Sequence, residues 1–141
     1  MRHPTRAAIN KFNAILGLDE DPHMQDWEIE CADPNRLAEF VSCYDLHALT
    51  ADEKFTLMAL ILGSYEEYHD TCGPDDKEWE QIKDRLQAEK VIHCDHIDYY
   101  SCLETEDPEE WFPITPLIRS LHPKAAKHDV QKDASSRRPL A

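Results

Sequence analysis

The stretch HCDHIDYYSC, His93 to Cys102, gathers two histidines, two cysteines, two aspartates and two tyrosines into ten residues. These are the side chains of metal sites and nucleophile–base pairs. Upstream, His69 and Cys72 are spaced like a zinc-ligand pair, and His93, Cys94 and His96 follow at about the interval between the halves of a zinc ribbon. The glycines of a zinc knuckle are absent, and HxxC with HCxH is not a standard zinc signature. The competing expectation is a helix capped by Asp95, with His96, Ile97, Tyr100 and Leu103 turned inward and Asp98 and Ser101 outward. Buried free cysteine behaves as a small hydrophobe, so Cys94 and Cys102 need no further role. That reading requires no metal and no cofactor.

Catalysis finds less support. The chain has three glycines, Gly17, Gly63 and Gly73, and they form no phosphate-cradling loop, dinucleotide fingerprint or nucleophile elbow. Cys94 beside His93 or His96 has the right chemistry for nucleophile and base, but neighbours along a helix point in different directions. A thiolate also needs a positive surrounding. Glu66 with Glu67 and Glu109 with Glu110 are carboxylate pairs of the kind any acidic surface supplies, and they identify no general acid. The expectation is a protein that is not an enzyme.

Charge carries more information than any motif. The 141 residues hold 29 Asp and Glu against 15 Lys and Arg, a net −14. From Pro123 onward, Lys124, Lys127, Lys132, Arg137 and Arg138 oppose only Asp129 and Asp133, so this tail is +3 and residues 1–122 carry −17. Such a body repels nucleic acid and acidic membranes and steers basic proteins toward itself. The basic tail, residues 123–141, lacks apolar periodicity and is expected to be disordered.

The elements that must position these groups are mostly helices. In DPNRLAEFVSCYD, Asp33 can cap, Pro34 suits the first helical position, and Leu37, Phe40, Val41 and Tyr44 form one stripe, predicting a helix over 34–45. Thr50 and Glu53 have capping-box spacing before FTLMALILGSYEEY, which is apolar nearly all round from Phe55 to Leu62 and must be central. Gly73 and Pro74 then stop the chain. Asp75 or Asp76 can cap a third helix, to about residue 90, carrying Trp79, Ile82 and Leu86. Thr115 before Pro116 starts a short helix with Leu117, Ile118 and Leu121. WEIEC alternates at the strand period and reads equally as edge strand or loop, and Pro113 confines any strand near EEWFPIT to an edge. The expected fold is mostly α: a compact helical bundle in which residues 1–122 form a single acidic domain, with at most a small two-stranded β-ribbon.

No apolar run reaches the roughly 18 residues of a membrane span. The N-terminal apolar residues are interrupted by Asn10, Lys11 and Asn13, so no secretory signal is expected. Five cysteines without a CxxC pair suit free thiols in a reducing compartment, and the expected location is cytoplasmic.

Two segments surround a tryptophan with acid, and both have the makings of a binding surface. DEDPHMQDWEIE holds Asp19, Glu20, Asp21, Asp26, Glu28 and Glu30 about Trp27, and ETEDPEEWF holds Glu104, Glu106, Asp107, Glu109 and Glu110 before Trp111. Aromatic anchors with charged surroundings are the usual make-up of an interface. Together with DPNRLAEFVSCYDLHALTADEKFTLMALILGSYEEYH, the later Trp79, Ile82 and Leu86, IDYYSCL and FPITPLIRSL, the layout of about residues 9–121 resembles small acidic helical proteins encoded beside bacterial polymorphic toxins. That resemblance implies an immunity protein, a cytoplasmic inhibitor that binds a cognate toxin, often a nuclease. The partner-binding residues expected are Asp26, Trp27, Glu28, Glu30, Glu106, Asp107, Glu109, Glu110 and Trp111. The alternatives are an acidic adaptor for some other basic protein, or a small zinc protein using His69, Cys72, His93 and Cys94.

Overall fold

The computed structural model describes residues 2–18, 26–68 and 73–124, and among them every regular element is a helix. The chain divides into two compact units, Met1–Asp95 and His96–Ala141.

The first unit begins with α1 (Arg6–Leu16). The Thr5 side chain accepts from the Ala8 amide at its start, and Gly17 closes it in the left-handed conformation, φ 63°, that glycine adopts without steric cost. Ala8, Ile9, Phe12 and Leu16 are buried along one face. A single turn, α2 (Trp27–Glu30), follows. Asp33 caps a 3-10 turn at Pro34–Arg36, which runs directly into α3 (Leu37–Leu46), burying Leu37, Phe40, Val41 and Tyr44 as the stripe predicts.

The long α4 (Ala51–Glu66) starts with the full capping box, Thr50 and Glu53 each accepting from the other's amide. The Thr50 amide first, then the Lys11 ammonium, hold the Glu53 carboxyl below its ordinary range. Every residue from Phe55 to Leu62 is buried, because α1, α2, α3 and α5 (Lys77–Ala88) all pack on α4. Full burial of each Leu, Ile or Phe there is worth about 1.5–3 kcal/mol before entropy is counted. Asp76 caps α5, which turns Trp79, Ile82 and Leu86 inward.

The structure departs from the sequence reading at several positions. Trp27–Glu30 is helical, with the Ile29 and Glu30 amides bonded to the Asp26 carbonyl, so WEIEC is neither edge strand nor loop. Its alternation does not mark one face: Trp27 is buried and Ile29 is exposed. The fold stays within the expected helical bundle: Pro108–Glu110 is a 3-10 turn capped by Asp107, no strand occurs among the described residues, and the optional ribbon is not used. The helix expected to begin at Asp95 begins earlier, as α6 (Lys90–Ser101), with the Ile92 and His93 amides on the Glu89 carbonyl. Asp95 is therefore mid-helix, its carboxylate accepting from the Arg2 amide at 2.6 Å.

The second unit takes α6 from His96 onward, the Pro108–Glu110 turn and α7 (Thr115–Arg119). Ile97, Cys102, Ile114, Ile118 and Leu121 are its buried apolar side chains. Ser101 is fully buried, against expectation, because its hydroxyl donates back to the Ile97 carbonyl at 2.6 Å and so carries no unmet polarity inward. No helix among the described residues is long and apolar enough to cross a membrane.

Candidate partner-binding surfaces

The first acid-rich segment is seated on the core from beneath. Trp27 is 3% exposed, and its indole N–H donates to the side-chain amide oxygen Oδ1 of buried Asn13 at 2.8 Å, tying α2 to α1. On the α4 side, Gly63 lies so close that a Cβ there would come within 2.4 Å of the Glu28 carbonyl oxygen. Only glycine lets the two backbones approach that far. The Asp33 amide donates to the buried Ser64 hydroxyl, and the Tyr68 hydroxyl donates to the Pro34 carbonyl, fixing the chain that leaves the turn. Asp26, Ile29 and Glu30 are exposed and Glu28 is half-buried. Asp19, Glu20 and Asp21 lie outside the described residues.

The second acid-rich segment is held by a cation. Arg119 on α7 donates to three carbonyls, Ser101, Cys102 and Thr105, each at 2.8 Å, and reaches the Glu106 carboxylate at 3.3 Å. Two of those carbonyls belong to the end of α6, where a guanidinium satisfies groups the helix leaves open and suits the negative end of its dipole. Cys102 stands in the left-handed conformation at φ 47°, in the place where glycine is usual, so the turn is strained and Arg119 helps to enforce it. The same guanidinium lies over the Trp111 ring at 4.1 Å, while the indole N–H donates to the Thr105 carbonyl at 3.0 Å. Trp111 is half-buried, and Glu104, Glu106, Asp107, Glu109 and Glu110 are exposed around it.

A polar network crosses the first unit. The Tyr44 hydroxyl donates to Glu89 at 2.6 Å and lies 2.8 Å from His93 Nε2, while Lys54 meets the other Glu89 oxygen at 2.6 Å. A hydroxyl has one proton, so the His93 nitrogen facing it is the protonated one. Burial pushes the Glu89 carboxyl up, but the Lys54 ammonium, the Tyr44 hydroxyl and His93 outweigh it and hold Glu89 below its usual range. Burial first, and then the hydrogen bond to Glu89, push the Tyr44 hydroxyl far above its ordinary value. Tyr44, Lys54 and Glu89 line an open cleft of about 420 Å³ together with Asp45, His47, Ala48, Leu49 and Thr50. With its charges already matched, the network ties α3, α4 and the α5–α6 joint together.

HCDHIDYYSC is distributed along α6 rather than gathered at one centre. His93 and His96 are buried, whereas Cys94 is exposed. Asp98 accepts from His122 at 3.0 Å, and Tyr99 and Tyr100 pack edge to face with each other and against Phe112. Among the described residues, no group of three or more His, Cys, Asp or Glu side chains could hold a metal ion. His69 and Cys72 lie outside the described residues.

Sequence reasoning passed over Gly63 and Arg119, the two residues that set the acidic segments in place. Gly63 had one signal, a glycine within an otherwise apolar helix, which commonly marks close approach of another backbone. Arg119 had none, because its carbonyl partners lie 14 to 18 residues upstream. Set beside family models, curated proteins and solved structures, the chain matches none of them.

Proposed function

We propose that this chain is a binding protein that captures a basic protein partner through its acidic surface, and that the partner is a toxin which it inhibits, as an immunity protein does. The observation that carries the reading is how charge is spent. Lys11, Arg36, Lys54, Lys83, Arg85 and Arg119 are each paired with a carboxylate of this chain. Asp26, Glu28, Glu30, Asp107, Glu109 and Glu110 take part in none of the ion pairs among the described residues. Most of the cations among the described residues are thus paired within the chain, while carboxylates on two separately braced segments are left out of those pairs. Preformed surface charge of one sign accelerates encounter with a partner of the other sign and rejects like-charged ones. Inhibition follows when the bound chain covers the partner's basic catalytic surface.

The test is to co-express the polypeptide encoded beside this gene, measure the complex by calorimetry and assay whether an equimolar amount of this chain abolishes the partner's toxicity. A stable complex whose association slows as salt rises, with loss of toxicity, is the expected result. A complex indifferent to salt would overturn the acidic capture. Persistent toxicity in a saturated complex would overturn the inhibitory role.

A further inference from the structure

The side chains of α2 are arranged to do more than repel or attract. At about 100° per residue, Ile29 stands about 200° around the helix from Trp27, so it points away from the core that Trp27 enters. It is 63% exposed where Trp27 is 3% exposed. Glu28 and Glu30 lie about 100° to either side of it, and Asp26, one turn earlier, lies about 60° away. One apolar side chain is therefore flanked by three carboxylates that take part in none of the ion pairs among the described residues.

The other strongly exposed apolar side chains have different surroundings. Leu46 follows Asp45, which is paired with Arg85. Val91 follows Lys90 and Glu89, and Glu89 is paired with Lys54. Tyr99 follows Asp98, which is bonded to His122. Of these four side chains, Ile29 combines exposure with neighbouring carboxylates that take part in none of the ion pairs among the described residues, and its turn is fixed by the Trp27–Asn13 hydrogen bond and the Gly63 approach. A side chain already held in place loses little further freedom on binding.

We propose that α2 is the contact point of the complex: Ile29 enters an apolar recess on a basic protein partner, and Lys or Arg side chains rimming that recess pair with Asp26, Glu28 and Glu30. An apolar centre within a ring of polar pairs that exclude water is how interface energy is usually concentrated. This rests on the reading of the chain as an acidic capture protein and specifies which surface does the capturing.

The experiment uses the full chain and, as probe, the polypeptide encoded beside its gene, with affinities for wild type, Ile29→Ala, Ile29→Leu, Leu46→Ala, the Glu28→Lys/Glu30→Lys pair and the Glu109→Lys/Glu110→Lys pair. Circular dichroism melts confirm that each variant is folded. Ile29→Ala and the α2 charge reversal should each weaken binding by about 10-fold or more, as loss of an interface hot spot does. Ile29→Leu, Leu46→Ala and the 109/110 reversal should stay within about threefold of wild type. Wild-type-like binding by Ile29→Ala, with a large loss at 109/110 or at Leu46, would overturn α2 as the contact and leave acidic capture standing. Failure of the wild type to bind would overturn both.

Discussion

The turn at Trp27 and the loop ending at Trp111 have nearly the same composition, yet the molecule holds them by opposite means. At α2 the tryptophan goes into the core, its indole bonds to Asn13, and a glycine on α4 admits the backbone. At residues 104–111 the tryptophan stays at the surface, and a single arginine gathers three carbonyls, a carboxylate and the indole face. An acidic segment braced from beneath by apolar burial keeps Asp26, Glu28 and Glu30 out of the ion pairs among the described residues. One braced by a cation gives up part of its charge, since Glu106 is partnered, and shares its fate with that cation. Rigidity has the same use in both places, but it fails under different perturbations.

The largest difference should come from removing the buried brace. Trp27→Ala is expected to lower the unfolding free energy by about 3–5 kcal/mol, the cost of deleting a buried aromatic together with its hydrogen bond. Gly63→Ala acts on the same seat without touching the indole, because the added methyl must displace the Glu28 carbonyl. Urea unfolding of both variants tests this, and a near-neutral Gly63→Ala would show that α2 can slide on α4. Arg119→Ala should cost less, about 1.5–3 kcal/mol, the range for charged hydrogen bonds left unmade. It should also change the near-ultraviolet dichroism of Trp111. Arg119→Lys keeps the charge but offers no planar fork, and should recover less than half of the loss.

The contrast also accounts for what could be read from the sequence. The capping box at Thr50, the all-apolar run of α4 and the Leu37–Tyr44 stripe are local signals, each decided within a few turns, and the structure follows them. The N-terminal helix carries comparable local signals, with Thr5 as cap, Ile9, Phe12 and Leu16 in register and Gly17 as stop, although the same basic, partly apolar residues also resemble a targeting segment. The α2 turn misleads because Trp27, Ile29 and Cys31 alternate perfectly, and periodicity cannot tell that the second of these faces solvent. The role of Arg119 depends on which carbonyls the fold brings to it, and that is settled only after α6 and α7 have packed. The exposed carboxylates were legible as a set, whereas the selection of Ile29 among them needed the seat provided by Gly63.

A smaller effect is expected from the first unit's polar network. Glu89 has its carboxyl held below the usual range, so its contribution is fully present above the unfolded value, near 4.5, and is lost as pH falls through the lower folded value. Glu89→Gln should therefore cost about 1 kcal/mol at neutral pH, the upper range for a half-exposed pair. The gap between variant and wild type should hold steady down to about pH 5 and close as the solution becomes more acid. Urea midpoints measured from pH 7 to pH 3 give the answer, and a gap that widened toward acid would reverse the assigned sign.

The smallest effect on folding, and the sharpest on comparison of the two acidic segments, is expected from charge reversal on the loop. Glu109 and Glu110 are exposed and take no part in the ion pairs among the described residues, so converting both to lysine should change stability by under about 0.5 kcal/mol. The net charge moves from −14 to −10, since each reversal adds two positive charges. Charges that steer without touching act on the association rate and are screened over a Debye length of about 8 Å at physiological salt. Charges that pair at a contact also set the dissociation rate. With α2 as the contact, the loop reversal should slow association and flatten its salt dependence while dissociation stays as in wild type. The Glu28→Lys/Glu30→Lys reversal should slow association and hasten dissociation together. Stopped-flow association and chase-dissociation traces at several salt concentrations separate the two, and equally fast dissociation from both variants would make the loop a contact surface rather than a steering one.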